Sequence, residues 1–486
     1  MGNSILELKP SDVWRYFYDL TQIPRPTGHM DGITKYILSF GEAQGLETKQ
    51  DEAGNVLICK PATPGFEDRK IVVLQSHLDM VPQKNTAVTH DFLKDSIDAC
   101  VDGAWVRARE TTLGADNGIG VALMLAVLAD QSLKHGPLEA LFTVDEEVGM
   151  VGAFGLKPHW LQGRTLLNCD SEEEGSLFAG CAGGTDLNIT FRYKKGAPLI
   201  EGDVPVKVML TGLSGGHSGI DIHLGRANAN KLMFRFLKEA IRDYGARLAC
   251  IKGGSARNAI PREAVAVITL PNDNVEALWE FVADCRELWR AEYAGIETEG
   301  ISFSAEITQP PLALIPEEVQ DDLINAVEGC QNGVINLLHD FPGTVESSSN
   351  LAVVESSKGK IDIRILARSS SESRKEAVCS SLESVFSLAG AKVEYGNAYG
   401  GWQPDIHSPI LKTMREVYRQ RYGKEPAVKV IHAGLECGII QETYPDMEMI
   451  SFGPDLVYPH SPNEAVKIDS VGKVKDFLVA TLEAIR

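Results

Sequence analysis

Apolar residues recur along this chain with two different periods. Ser11 to Leu20 and Asp31 to Gln44 repeat every three to four residues and predict helices. Asn55 to Cys59 and Ile71 to Gln75 are short apolar runs that predict strands. Asn117 to Ala129 is apolar all round and predicts a buried helix, with further strands expected over Leu138 to Val144 and Thr165 to Asn168. Strands interleaved with helices mean an α/β sheet with crossover connections. Past Ala182-Gly183-Gly184 the pattern shifts to short alternating segments, Asp186 to Tyr193 and Val204 to Leu210, expected to be antiparallel and half solvated. Helices over Ala227 to Tyr244 and Val275 to Tyr293, and strands near Ala264 to Leu270 and Ile361 to Leu366, continue that region as α+β. The Gly, Pro and aromatic cluster NAYGGWQP, residues 397–404, reads as a linker. Beyond it a helix over Pro409 to Tyr422, strands near Val428 to Ile431 and Met447 to Ser451, and a last helix over Val471 to Ile485 restore the first character. The expectation is an α/β domain of residues 1–186 and 399–486, interrupted by an inserted, smaller α+β domain of residues 187–398.

Composition narrows the possibilities without deciding among them. With 44% hydrophobic and 23% charged residues in 486, the chain has the make-up of a globular protein with several domains. The 67 acidic against 47 basic residues give a formal charge of −20, a surface that repels phosphate and speaks against nucleic acid as a partner. Such a balance usually serves solubility, but a polycarboxylate metal site would add to it. The longest apolar run considered, Val121 to Leu128, falls far short of the roughly 18 to 20 residues of a membrane span. The opening MGNSILELKPSD lacks the basic and apolar regions of a signal peptide, and Leu6 breaks the myristoylation pattern, so a cytoplasmic protein is expected. The nine cysteines are scattered singly with no CxxC pair, which argues for reduced thiols. Any metal must then be held by His, Asp and Glu.

Polar residues collect just after the strands of the first domain. Ile71 to Gln75 runs into Ser76-His77-Leu78-Asp79, Leu138 to Val144 into Asp145-Glu146-Glu147, and Thr165 to Asn168 into Cys169-Asp170. Ligands of open α/β sheets bind outside the carboxyl ends of the strands, so these groups should converge on one edge. Asp116 precedes the apolar helix, and the segment after Ile450 to Phe452 reaches His460. Singly, Asp116 reads as a helix cap, the Glu146-Glu147 pair as solvated charge and His77 as a hydrogen-bonded core histidine. Together, five such groups at strand ends need positive charge to coexist.

The stretches VVLQSHLDMVPQK, TTLGADNGIG, DEEVGMVGAFGL, NCDSEEEG, GGHSG, RNAIPREA, HAGLECG and GPDLVYPHSP resemble the dinuclear zinc dipeptidases and their relatives over nearly the whole chain. The resemblance implies an aminopeptidase-like catalytic domain with a twisted sheet and an inserted lid and dimerisation domain. It implies that Asp116 bridges two divalent ions, most readily zinc, with cobalt or manganese accepted by the same ligands. His77 and Asp170 would complete one ion's ligands, and Glu147 and His460 the other's. Glu146 would be the general base, and Asp79 would orient the ring of His77. From the inserted domain, His217 would stabilise the oxyanion, reaching the site from the partner subunit of a homodimer. Asn258 and Arg368 would clamp substrate, Arg368 at its free carboxylate, and Glu436 would receive the free amino group. The implied reaction is hydrolysis of unblocked L-dipeptides, including Xaa-His substrates such as carnosine. A tripeptidase, carboxypeptidase or aminoacylase with the same metals is the alternative, and a binding protein that kept the fold is disfavoured because every ligand is present. Glu110 departs from the family, whose members often have Gly there, and puts the local loop shape in question.

Overall fold

The computed structural model describes residues 4–298 and 300–486. The chain divides into two compact units, one of residues 1–181, 402–430 and 435–486, the other of residues 182–401 and 431–434. The four residues 431–434 thus belong with the inserted unit, a return that no compositional shift in the sequence announces.

The first unit is built on an eight-stranded sheet. Its centre is four parallel strands in the order Leu138–Thr143, Val72–His77, Thr165–Asn168 and Glu448–Ser451. The first three are buried along their whole length, as expected for parallel strands covered on both faces. The helix Ala115–Ala129 packs on Val72–His77 and is buried on every side from Asn117 to Leu128, so its lack of an amphipathic stripe follows from its place. Ser11–Thr21 packs against it and shows the expected stripe, burying Val13, Trp14, Phe17 and Leu20. Phe17 is fully enclosed, and its replacement by Ala would cost about 3–5 kcal/mol. A second, four-stranded sheet joins the hairpin Leu456–Val457 and Ala465–Lys467 to Trp105–Ala108 and Ala99–Asp102.

The inserted unit carries a nine-stranded sheet whose pairings are antiparallel throughout. Burial alternates along Gly183–Arg192 and Asp203–Thr211, the signature of a sheet with one covered face. Ala229–Tyr244 and Glu372–Leu388 pack against this sheet. Asn228 caps the former by accepting the N–H groups of Asn230 and Lys231.

Two features depart from the sequence expectation. The stretch 397–404 is only partly a connection, because Asn397–Tyr399 ends the strand Lys392–Tyr399, which pairs with Gly183–Arg192. That strand is exposed along most of its length, so it lacks the apolar alternation by which strands are recognised. Glu110 is exposed and has φ of 63°, the left-handed region that glycine enters without steric cost. A glycine would hold this conformation without strain.

Candidate active site

The four parallel strands end on the same side, and the chain beyond each end supplies a polar group. His77 is the last residue of its strand, Glu146 and Glu147 follow Leu138–Thr143, Asp170 follows Thr165–Asn168, and His460 lies in the hairpin loop beyond Glu448–Ser451. Asp116 enters from the start of the apolar helix, after Gly114 at φ of 69°. A Cβ at Gly114 would lie 2.6 Å from the Arg25 guanidinium and 2.7 Å from Met80 Sδ, so the turn has no room for a side chain.

The two oxygens of Asp116 face two different imidazoles. Oδ1 is 3.1 Å from His77 Nε2, which also lies 3.3 Å from Asp170 Oδ1. Oδ2 is 3.1 Å from His460 Nε2, which lies 3.0 Å from Glu147 Oε2. Two overlapping ligand sets result, His77–Asp116–Asp170 and Asp116–Glu147–His460, with donor atoms in each within 4.8 Å of one another. A third grouping brings His77, Glu146 and Glu147 together, so Glu146 stands beside the ligand sets.

The electrostatics reflect how densely carboxylates and imidazoles are gathered here. Burial, reinforced by Asp116, pushes the Asp170 and Glu147 carboxyls up. Burial also pushes Glu146 well above its ordinary value, with Asp170, Glu436 and Glu147 adding to the effect. Hydrogen bonding to Asp116 and Glu147 pushes His460 up to about 11. His77, which burial alone would push down, is held well above its usual range by Asp170, Asp116 and Asp79. One buried oxygen, Glu147 Oε1, has no hydrogen-bond partner among the described residues. Two imidazoles and three carboxylates, one of them shared, are a donor set that fits a pair of divalent cations.

Asp79 organises both halves of the site. Its Oδ1 lies 3.3 Å from His77 Nδ1 and accepts the N–H of Glu146 at 3.0 Å. Its Oδ2 accepts the N–H of Glu147 at 3.1 Å and the hydroxyl of Thr27 at 2.9 Å. Against its burial, His77 and these N–H groups hold Asp79 down to about 2, an anion whose partners are all donors. The carboxylate, 3.3 Å from Nδ1, favours a proton on that nitrogen and so the use of Nε2 as a ligand atom. Asn117 donates to the carbonyl of Cys169 at 3.0 Å and to the carboxylate of Asp170, bracing that loop as well.

Glu436, expected to receive a substrate's amino group, is buried and interacts electrostatically with His77, Asp170 and Asp79. It has no exposed surface, and its Oε2 accepts from Gln75 at 2.6 Å and from Thr143 at 2.7 Å. Burial pushes its carboxyl up to about 7. It links two central strands through Oε2, while its Oε1 has no hydrogen-bond partner among the described residues. Glu172, by contrast, is exposed and interacts electrostatically with Asp116, Asp170 and His460. In the sequence it reads only as one member of a short acidic run.

The inserted unit assembles a polar group of its own. His217 lies in the strand Gly216–His217, paired with Ala259, and Asn258, the next residue back along that ladder, is exposed and accepts the N–H of Ser218 through its carbonyl at 2.8 Å. His217 Nδ1 accepts the N–H groups of Gly219 at 3.1 Å and Ile220 at 3.0 Å. Those two bonds require the proton to sit on Nε2. Burial and the positive charge of Arg368 push His217 down to about 4, so the ring is a neutral donor near pH 7. Arg368 is 4% exposed, donates to the Tyr399 hydroxyl at 2.7 Å, and has no partner for its Nε–H among the described residues. His432, which sequence reasoning did not single out, sits in the same electrostatic group and meets Ser348 Oγ at 2.7 Å.

Comparison with known proteins agrees with this geometry. Residues 73–484 match the model of peptidase family M20/M25/M40, and the chain belongs to that family. It is 45% identical over 483 residues, 99% of each chain, to the cytosol non-specific dipeptidase of Escherichia coli. Its fold matches that of the aminoacylhistidine dipeptidase of Vibrio alginolyticus with a TM-score of 0.92 and 46% identity, covering 100% of this chain and 98% of the other. Human carnosine dipeptidase 1 shares the fold alone, at a TM-score of 0.52 and 12% identity over 100% and 99% of the two chains.

Proposed function

We propose that the protein is a metallodipeptidase that hydrolyses unblocked L-dipeptides, Xaa-His substrates such as carnosine among them. The observation that carries this reading is the division of Asp116 between two imidazole-carboxylate sets. The near-full-length likeness to two dipeptidases gives the substrate class. His77 and Asp170 would hold one divalent ion and Glu147 and His460 the other, with zinc the best match and cobalt or manganese compatible. Bound there, the ions would supply Lewis-acid activation of water and of the scissile carbonyl.

The chain's own residues perform the rest. Glu146, held at its backbone by Asp79, takes a proton from the attacking water and returns it to the departing amine. His217, a neutral ring with its proton on Nε2, donates to the oxyanion of the tetrahedral intermediate. Arg368, buried with an unpartnered Nε–H, pairs with the free carboxylate, and Asn258 adds a polar contact to the substrate. We place Glu436 beneath the strand ends as a brace. We further propose a cytosolic homodimer formed through the inserted unit, with His217 supplied to the partner's site. Ile220 and Leu224, 53% and 40% exposed, provide apolar surface close in sequence to His217. None of the described helices is long and apolar enough to cross a membrane.

The test is hydrolysis of carnosine, Leu-Gly and acetyl-Leu by metal-replete, chelated and remetallated protein, alongside Glu146→Ala. Cleavage of the unblocked dipeptides alone, lost on chelation and in the variant, is the expected result. Cleavage of acetyl-Leu would keep the metal site and overturn the substrate class. Light scattering reports the oligomeric state.

A further inference from the structure

The position of Asp116 depends on a loop whose four successive N–H groups all point at one carboxylate. Glu464 Oε2 accepts from Leu113 at 2.8 Å and Gly114 at 3.0 Å, and Oε1 accepts from Ala115 at 2.7 Å and Asp116 at 3.1 Å. The side chain is 2% exposed and lies about 350 residues away in sequence from the loop it holds. From another direction, Arg25 donates to the carbonyl of Gly114 and, at 2.9 and 3.1 Å, to those of Leu78 and Asp79.

Glu464 is also four residues from His460, in the loop between Leu456–Val457 and Ala465–Lys467. The strand that follows it pairs with Trp105–Ala108, from which the chain leads to Asp116. One carboxylate therefore ties the segment that carries Asp116 to the segment that carries His460.

We infer that Glu464 is a positioning residue for the ion held by Asp116, Glu147 and His460, an inference that rests on the two-ion reading above. The two ligand sets are supported unequally. His77 is 1% exposed and ends a strand paired on both sides, so the sheet itself fixes it. His460 is 51% exposed, has φ of 57°, and lies in a loop outside any ladder. Asp116 serves both sets, but loss of the Glu464 contacts should weaken the Asp116–Glu147–His460 set more, because His460 is freed as well while His77 stays held by its strand. A carboxylate offers about four lone-pair sites, which match four N–H groups. An amide offers one oxygen and would turn its NH2 toward two of those donors, so Glu464→Gln can keep at most half of the contacts.

The experiment is titration of metal-stripped, full-length protein with Zn2+ in competition with a chromophoric chelator, for wild type, Glu464→Gln and Glu464→Asp. The wild type should bind two equivalents; failure to do so would reject the two-ion reading rather than the role of Glu464. In Glu464→Gln the first equivalent should weaken by no more than about threefold and the second by about 10- to 100-fold, the usual effect of losing a support behind a metal ligand. Glu464→Asp, which keeps the charge and both oxygens, should fall between the two. Wild-type affinity for both equivalents, or equal weakening of both, would overturn the inference. If the Gln variant does not fold, as circular dichroism would show, the Asp variant alone decides by whether the second equivalent weakens selectively.

Discussion

Asp79→Asn is the substitution most informative about how the site is built, because it keeps shape and removes only charge and acceptor capacity. All four contacts of Asp79 come from donors: the His77 ring, the Glu146 and Glu147 N–H groups, and the Thr27 hydroxyl. They fall two on each oxygen, so either orientation of an asparagine amide sets its NH2 against two donors. Two charge-assisted hydrogen bonds are lost, at about 1.5–3 kcal/mol each, or about 3–6 kcal/mol in the ordering of the strand-end loops. Since the side chain has no exposed surface, water cannot replace them. His77 loses the partner that keeps its proton on Nδ1, and Glu146 and Glu147 lose their common anchor. Metal affinity should fall about 10- to 100-fold, and kcat at saturating metal by about 100-fold or more, because the base is also misplaced. Chelator competition and steady-state hydrolysis of Leu-Gly measure the two effects separately. An Asp79→Asn protein with wild-type metal affinity and wild-type kcat would refute the view that this carboxylate organises both the ligand and the base.

Three further outcomes follow from other positions. Glu436→Gln should fold and keep its KM for dipeptides, since its amide oxygen can still accept from Gln75 and Thr143; a tenfold rise in KM would instead restore a substrate-binding role. Glu110→Gly should raise the urea midpoint by up to about 1 kcal/mol of stability, because it relieves a side chain held at φ of 63°; an unchanged or lower midpoint would contradict this. His432 is pushed down to about 3 by burial and by Arg368, so below its ordinary value of 6.5 the unfolded chain takes up a proton that the folded protein refuses. Stability should therefore fall as pH drops, by about 2 kcal/mol between pH 7.5 and 5 from this residue, and His432→Gln should show a correspondingly flatter urea-midpoint profile.

The parts of this protein legible in its sequence are those in which neighbouring residues share one fate. Leu138–Thr143 and Val72–His77 are buried throughout and mostly apolar, so the acids that follow one and the histidine that ends the other stand out. The strands Glu47–Gln50 and Lys392–Tyr399 are largely exposed and carry no such pattern. Glu464 is harder still to read. A glutamate before Ala465-Val466 looks like the polar lead-in to a strand, and its four partners are backbone N–H groups, which leave no mark on the side-chain sequence. Arg25, lying between two prolines, is hidden for the same reason: it donates to carbonyls. Glu436 is hidden in another way, since a charged residue in a glycine-rich segment gives no sign that it has no exposed surface.

The return of residues 431–434 to the inserted unit bears on how this architecture could be exchanged or rebuilt. An insert bounded by residues 182 and 401 resembles a cassette that recombination could lift out whole. It would leave behind His432, the hydrogen-bond partner of Ser348, and the carbonyls of Ile431 and Ala433 that receive the N–H of Ala182. A cassette expressed alone would carry an unmatched serine in its interior and an unpaired amide at its first residue. A chimera built from two relatives would have to transplant that tetrapeptide separately, out of the far end of the chain. Shuffling at the two obvious seams is therefore penalised, and the insert is expected to have diversified by substitution in place rather than by exchange as a module.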